Sequence, residues 1–280
     1  MITEITEPLT GVELTVAGSV LRVLDQGAQV VHWQPAGQAP VLFASAVANY
    51  LPGRHVRAGA PLVYPWFGNG AHGDLTPVHG YARLRSFTRL GQRVEDGVAA
   101  VRQVLEPTEP ADLPARLETL ATMTDAALEI ALTVWNLADE PISYEVGLHT
   151  YFQVGDLAEV SLEGLAGCEY LDRTSSAWAV QPDGRLTIDG ELDRAYRHAG
   201  SVVLHDPVLR RRIEVAKTGS GTTIVWNPGE EKTRGFPDFA DQEWRRTICI
   251  EAARMGDDAV RLAPGAQHTL SQRIRPLAPT

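Results

Sequence analysis

Apolar and polar residues alternate along most of this chain, with the two-residue period of a strand that buries one face. The pattern predicts strands at 11–16, 20–25, 28–33, 40–43, 98–105, 116–124, 127–135, 158–163, 185–188, 201–205, 209–216, 222–227, 246–252, 259–262 and 267–275, with a longer run at 142–154. Asp-Gly pairs at 96–97, 183–184 and 189–190 supply turn residues between runs, because tight hairpin turns need left-handed backbone. Helical periodicity is nearly absent; the best short candidate is 238–243, just after Pro237. Many short strands separated by turn residues predict an all-β protein, a large antiparallel sandwich or barrel. No repeat, low-complexity tract or Gly/Ser linker divides the sequence, so residues 1–280 read as one domain. Two Gly/Pro-rich segments, 44–80 and 228–245, resist strand assignment. Irregular segments of that length in a compact domain are usually functional loops, and otherwise packed connections.

Two of the runs carry candidate chemistry. In 142–154, Ile142, Tyr144, Val146, Leu148, Thr150, Phe152 and Val154 share one face, which predicts core. The other face holds Ser143, Glu145, Gly147, His149, Tyr151 and Gln153, polar without the charge of ordinary surface. Such a face suits the wall of a polar cleft, and equally a solvent face with a structural histidine. In the run ending at Ala252, Ile248 and Ile250 oppose Thr247, Cys249 and Glu251. A lone carboxylate among apolar neighbours has a raised pKa if it looks into a cleft. It is an ordinary surface residue if it pairs with Arg245 or Arg254.

The segment 54–85 is rich in Arg, Gly and aromatic residues: Arg54, His55, Arg57, Gly59, Trp66, Phe67, His79, Gly80, Arg83 and Arg85. Arginine forks beside glycines suit an anion, because glycine lets the backbone approach and the guanidinium binds two oxygens at once. Trp66, Phe67 and Trp226 are either platforms for a sugar face or loop anchors in the core.

Composition narrows the field. The 35 Asp and Glu against 25 Lys and Arg give a formal charge of −10, with no basic stripe, which argues against nucleic acid as a partner. No stretch approaches the ~18 apolar residues of a membrane span. The N-terminal MITEITEPLT lacks the basic start and apolar run of a signal peptide, so a cytoplasmic protein is expected. Cys168 and Cys249 form no CxxC motif and read as two buried thiols. Neither HxH nor HExxH occurs, so no metal site is expected, and the GxSxG and P-loop signatures are missing.

Four strings resemble the aldose 1-epimerase superfamily, most closely its hexose-6-phosphate mutarotase (glucose-6-phosphate 1-epimerase) branch. They are RAGAPLVYPWFGN at 57–69, VHGYARLRSF at 78–87, EVGLHTYFQVGD at 145–156, and VWNPGEEK at 225–232 leading to DFADQEWRRTICIEAA at 238–253. GCEYLDR at 167–173 is a weaker match. The resemblance implies a galactose mutarotase-like β supersandwich, which agrees with the strand pattern. It also implies His149 as catalytic acid, Glu251 as catalytic base, Asp172 as a substrate-binding carboxylate, Arg57 and Arg83 as the phosphate-binding pair, and His79 in the site lining. The implied substrate is a phosphorylated hexose such as glucose 6-phosphate, with no cofactor, in a monomer or weak homodimer. A neutral-sugar aldose 1-epimerase and a non-catalytic carbohydrate-binding protein remain the alternatives on the same fold.

Mutarotation suits these residue types. One group removes the proton of the anomeric hydroxyl, another protonates the ring oxygen, and the two exchange roles when the ring closes. The expected resting pair is protonated His149 beside ionised Glu251, each charge favouring the other.

Overall fold

The computed structural model describes residues 1–278. Its strands form antiparallel sheets, in agreement with the predicted fold class. A nine-stranded sheet runs in the order Leu186–Thr187, Ser161–Glu163, Val202–Asp206, Arg211–Thr218, Gln267–Leu277, Leu128–Asn136, Ala115–Met123, Val98–Leu105 and Thr88–Glu95. An eight-stranded sheet runs Ala177–Val180, Glu169–Asp172, Leu192–Arg197, Thr222–Asn227, Thr247–Arg254, Val146–Leu148 and Leu62–Val63, with Tyr151–Gln153 also paired to Thr247–Arg254. A four-stranded sheet (Ile2–Ile5, Gly11–Val16, Ser19–Leu24, Val30–Gln34) and the pair Ile142–Tyr144 with Val260–Leu262 complete the set.

Sequence pattern explains the layers. Along Ala115–Met123 and Leu128–Asn136 buried residues alternate with more exposed ones, so each strand has a core face and an outer face. Their inward residues join one continuous cluster with Val146, Leu148, Phe152, Ile248 and Ile250 of the eight-stranded sheet. A buried polar bridge crosses between the sheets: Gln272 accepts from the Thr150 hydroxyl and donates to the Ile250 carbonyl. Thr247–Arg254 differs from the outer strands, because Thr247 to Ala253 are buried on both faces. One face meets the core, and something other than bulk solvent must cover the other.

Val98–Leu105 and Thr222–Asn227 have the predicted boundaries. Asp96 and Gly97 both adopt left-handed backbone and close a two-residue hairpin, so a strand at Thr88–Glu95, too polar to read from alternation, precedes them. The long run 142–154 breaks into Ile142–Tyr144, Val146–Leu148 and Tyr151–Gln153, because its first part pairs with Val260–Leu262 and its later parts with Thr247–Arg254. Of residues 40–43 only Leu42 pairs, in an isolated bridge to Phe152, so no strand forms there.

The helix expected at 238–243 is not there. The α-helix lies earlier, at Gly229–Thr233, and a 3-10 turn follows at Glu243–Arg246. Asp238 is instead held by ion pairs to Arg57 and His55, and Phe239 stacks on Phe43, so tertiary contacts fix this stretch as a loop. Among the described residues no helix is long and apolar enough to cross a membrane.

Candidate active site

Strand register brings the two groups central to the sequence reading together. Leu148 lies opposite Ala252, and Tyr151 opposite Cys249. Continuing that register across the break places His149 opposite Glu251 on the neighbouring strand. Directly opposed residues share a face, and here His149 Nε2 lies 3.4 Å from Glu251 Oε1. Both side chains are buried, His149 at 7% and Glu251 at 2% exposure.

The same face extends across the sheet. Asp193 opposes Trp226, Trp226 opposes Cys249, and Cys249 opposes Tyr151. Asp193, Trp226, Tyr151, His149 and Glu251, with the loops described below, bound a cavity of about 720 Å³, within the usual range for a small-molecule site. His149 stacks on Tyr151 with ring centroids 4.8 Å apart and meets the edge of Trp226 at 5.7 Å. The rings fix the imidazole plane.

The loops supply cations. Arg57 donates from Nε to Asp238 Oδ1 at 3.0 Å, with Nη2 also 3.0 Å from that oxygen, and from Nη1 to the Tyr151 hydroxyl at 3.1 Å. Its guanidinium lies 4.6 Å from the Phe236 ring and 5.2 Å from that of Phe239. Arg83 is held by one bond, from Nη2 to the Val78 carbonyl at 2.6 Å, and its Nε has no hydrogen-bond partner. Burial lowers its pKa to about 10, still well charged at neutral pH. Two glycines make this loop geometry possible. Gly59 has φ +56°, and a Cβ there would lie 1.8 Å from the Val30 carbonyl oxygen; at Gly80, with φ +73°, it would lie 2.0 Å from that of Tyr64. Only glycine fits either place.

His79 also lines the cavity, at φ +63°, with its ring edge-on to His149 at 5.6 Å. The Gly68 backbone N–H donates to its Nδ1 at 3.2 Å, so the neutral ring carries its proton on Nε2. Burial, reinforced by the Arg83 charge, pushes its pKa down to about 2. His79 is therefore a neutral donor.

Desolvation works against the charged pair that the sequence-based expectation assigned to His149 and Glu251. Burial, then the charges of Arg83, Arg57 and Arg173, push His149 down to about 3. Burial pushes Glu251 well above the ordinary carboxyl range, against the pull of Arg173. Burial thus weighs against the charged form of both partners, and a neutral pair and an ion pair hold the same number of protons. The expectation weighed the two partners alone and omitted desolvation and the arginines.

The structure thus gathers His149, Glu251, Arg57, His79 and Arg83, and leaves Asp172 out. Asp172 opposes Arg194, one residue out of step with Asp193, and successive strand residues face opposite sides of the sheet. Its carboxylate accepts from the Thr174 hydroxyl and from the backbone N–H groups of Thr174 and Ser175. Asp193 lines the cavity instead, beside Arg173 at 3.5 Å. Sequence reading missed Asp193, Arg173 and Asp238. For Asp193 a signal existed: the Asp189-Gly190 turn starts a strand in which it falls on the face opposite Leu192 and Tyr196.

One cluster tests the metal question. His149, Cys249 and Glu251 offer ligand atoms within 4.8 Å of one another. A divalent ion needs the thiolate and the carboxylate, and burial holds protons on both. Arg57, Arg83 and Arg173 bias the same space against a second cation. The donor set is poorly suited to a metal.

An antiparallel β sandwich with a buried His–Glu pair in a cation-lined cavity has the make-up that acid–base work on a polar, anionic small molecule calls for. The chain belongs to the aldose 1-epimerase family, whose family model matches residues 12–275. A Cenchrus ciliaris protein provisionally named glucose-6-phosphate 1-epimerase is 31% identical over 86% of this chain and 76% of its own length. An Escherichia coli protein with the same provisional name is 32% identical, over 81% and 77% respectively. Among solved structures, a provisionally assigned mutarotase from Salmonella typhimurium superposes with a TM-score of 0.91 at 25% identity, covering all of this chain and 94% of the other.

Proposed function

We propose that this chain interconverts the α and β anomers of a phosphorylated hexose, with glucose 6-phosphate as reference substrate. The reading rests on one observation: the His149–Glu251 pair lies in a cavity that also presents Arg57 and Arg83. The names carried by the relatives agree with it.

In this reading the phosphate binds to Arg57 and Arg83, which leaves the anomeric end at His149 and Glu251. With the proton of the pair on His149, ionised Glu251 takes the proton of the anomeric hydroxyl, and His149 gives its own to the ring oxygen. The C1–O5 bond breaks as the C1 carbonyl forms. Rotation about C1–C2 exposes the other face, and the two proton transfers reverse as the ring closes. The phosphate dianion offsets two of the arginine charges that hold His149 down, so charging the imidazole costs less with substrate bound. His79 donates from Nε2 to a sugar oxygen, and Trp226 and Phe67 pack against the ring.

Anomer exchange of glucose 6-phosphate, followed by saturation-transfer NMR, tests the proposal. Strong acceleration by the wild type, lost in His149→Ala and Glu251→Ala, is expected. Acceleration confined to unphosphorylated glucose or galactose would make the chain a neutral-sugar epimerase. No acceleration on any of these sugars or their 6-phosphates would leave a carbohydrate-binding protein.

A further inference from the structure

Tyr151 touches both halves of the cavity. Its hydroxyl accepts from Arg57 Nη1 at 3.1 Å, and its ring stacks on His149 with centroids 4.8 Å apart and planes 17° from parallel. The side chain is buried, with Phe43 at 6.4 Å and Trp226 at 6.1 Å between ring centroids, so the ring has little room to shift. A guanidinium that takes up an anion is thus one side chain away from the imidazole that must gain a proton. Arg57 has donor capacity for that anion, because Nη1 carries two N–H groups and Tyr151 takes only one.

The electrostatics are uneven in the same direction. Although paired with Asp238, Arg57 still acts on His149, together with Arg83 and Arg173. The charges acting on Glu251 are those of Arg173 and Arg83, which pull its pKa down, and Asp193, which pushes it up; Arg57 is not one of them. Arg54, His55 and Lys232 line the cavity without being among the main charges on either partner. His79 and Cys249 also lie against the pair, and burial keeps both uncharged at neutral pH. Offsetting Arg83 therefore moves both partners the same way. Offsetting Arg57 favours charge on His149 alone, which draws the proton of the pair toward the imidazole and leaves Glu251 able to accept the anomeric proton.

We propose that the phosphate is an activator of the acid–base pair as well as a handle for the substrate: a free phosphate dianion on Arg57 and Arg83, linked to His149 through Tyr151, switches on mutarotation of a neutral aldopentose. The inference rests on the reading of the substrate as a hexose phosphate and adds an activity to it. Tyr151 is the positioning residue of the link. Xylose, which is glucose without C6, leaves the phosphate site free when its anomeric end lies at His149 and Glu251.

Anomer exchange of xylose is followed by saturation-transfer NMR for wild type, Arg57→Ala and Tyr151→Phe, with inorganic phosphate or with chloride at the same ionic strength. The enzyme-free rate in each buffer is subtracted, because phosphate itself catalyses mutarotation. In the wild type, phosphate should raise enzymatic turnover of xylose by about tenfold or more, the effect of one pKa unit on the charged form of the pair. The same ion should compete with glucose 6-phosphate, so it activates one sugar and inhibits the other. Arg57→Ala should lose the activation. Tyr151→Phe keeps the stacked ring and removes the link; it should lower the ratio of the rates with and without phosphate, which a general loss of packing would leave unchanged. Because Arg57 is buried, the wild type and Tyr151→Phe carry the decision if Arg57→Ala fails to fold. A wild type that turns over glucose 6-phosphate yet gains nothing on xylose from phosphate, or an undiminished ratio in either variant, would overturn the inference. A wild type inert toward glucose 6-phosphate would instead remove the underlying reading.

Discussion

Desolvation governs the individual site residues. Glu251 has one carboxyl oxygen facing His149 and the other without a partner, in a setting that favours the protonated form. Replacing it by glutamine keeps the shape and removes the proton exchange. Turnover of glucose 6-phosphate should fall by about 10²–10⁴-fold, with little change in KM, read by anomer-exchange NMR. Arg83→Ala should do the reverse. It removes a guanidinium with unfilled donors, and KM should rise by about tenfold or more while kcat changes less. His79 makes a different prediction. Its pKa is about 2 in the folded protein against 6.5 as the ordinary value, so the unfolded chain binds the proton more readily. The stability it contributes is complete above about pH 6.5 and is lost as pH falls from there toward 2. Urea unfolding between pH 7 and pH 4 should show the wild type losing stability more steeply than His79→Gln. Equal slopes would mean that His79 titrates normally in the fold.

At the level of elements, the site depends on registers and close approaches. Gly59→Ala forces a Cβ into the Val30 carbonyl at a left-handed position, next to the loop that carries Arg57. The variant should lose about 2 kcal/mol or more in urea unfolding, and its KM for glucose 6-phosphate should rise as Arg57 shifts. Elements also show what the sequence made readable. Val98–Leu105 and Thr222–Asn227 were legible because each lies between clear turns and presents enough apolar side chains. Thr88–Glu95 and Ala177–Val180 were not, because edge strands bury little and carry little alternation. The face assignment along 142–154 holds through every break, since the two-residue period survives a change of partner strand. The same period explains the error at Asp172. A motif read one position out of step points to the opposite side of the sheet, where Asp193 and Arg173 cannot be seen. Asp238 was illegible for another reason. Its partners lie 181 positions away at Arg57 and farther at His55, and no local pattern encodes a contact of that range.

For the whole molecule, the nine-stranded and eight-stranded sheets share one apolar cluster that also takes in Val12, Leu14, Leu21 and Trp33 of the four-stranded sheet. Two smaller clusters lie beside it, Leu9, Leu24, Val31, Val56 and Ala58 in one and Val63, Phe67, Ala195, Ile224 and Ala253 in the other, each too small to hold a sheet by itself. Calorimetry should therefore show one cooperative transition, the behaviour of a single domain; two resolved transitions would divide the chain. His149 and Glu251 sit opposite each other within the strand registers, while Arg57 and Arg83, proposed to hold the phosphate, hang on the segment 57–83, with Asp238 of another loop behind Arg57. The reaction and the choice of customer are thus built from separable parts. Grafting different surface segments onto the same strands should yield catalysts for other sugars without any redesign of the proton relay, which makes this scaffold a natural starting point for altering substrate range.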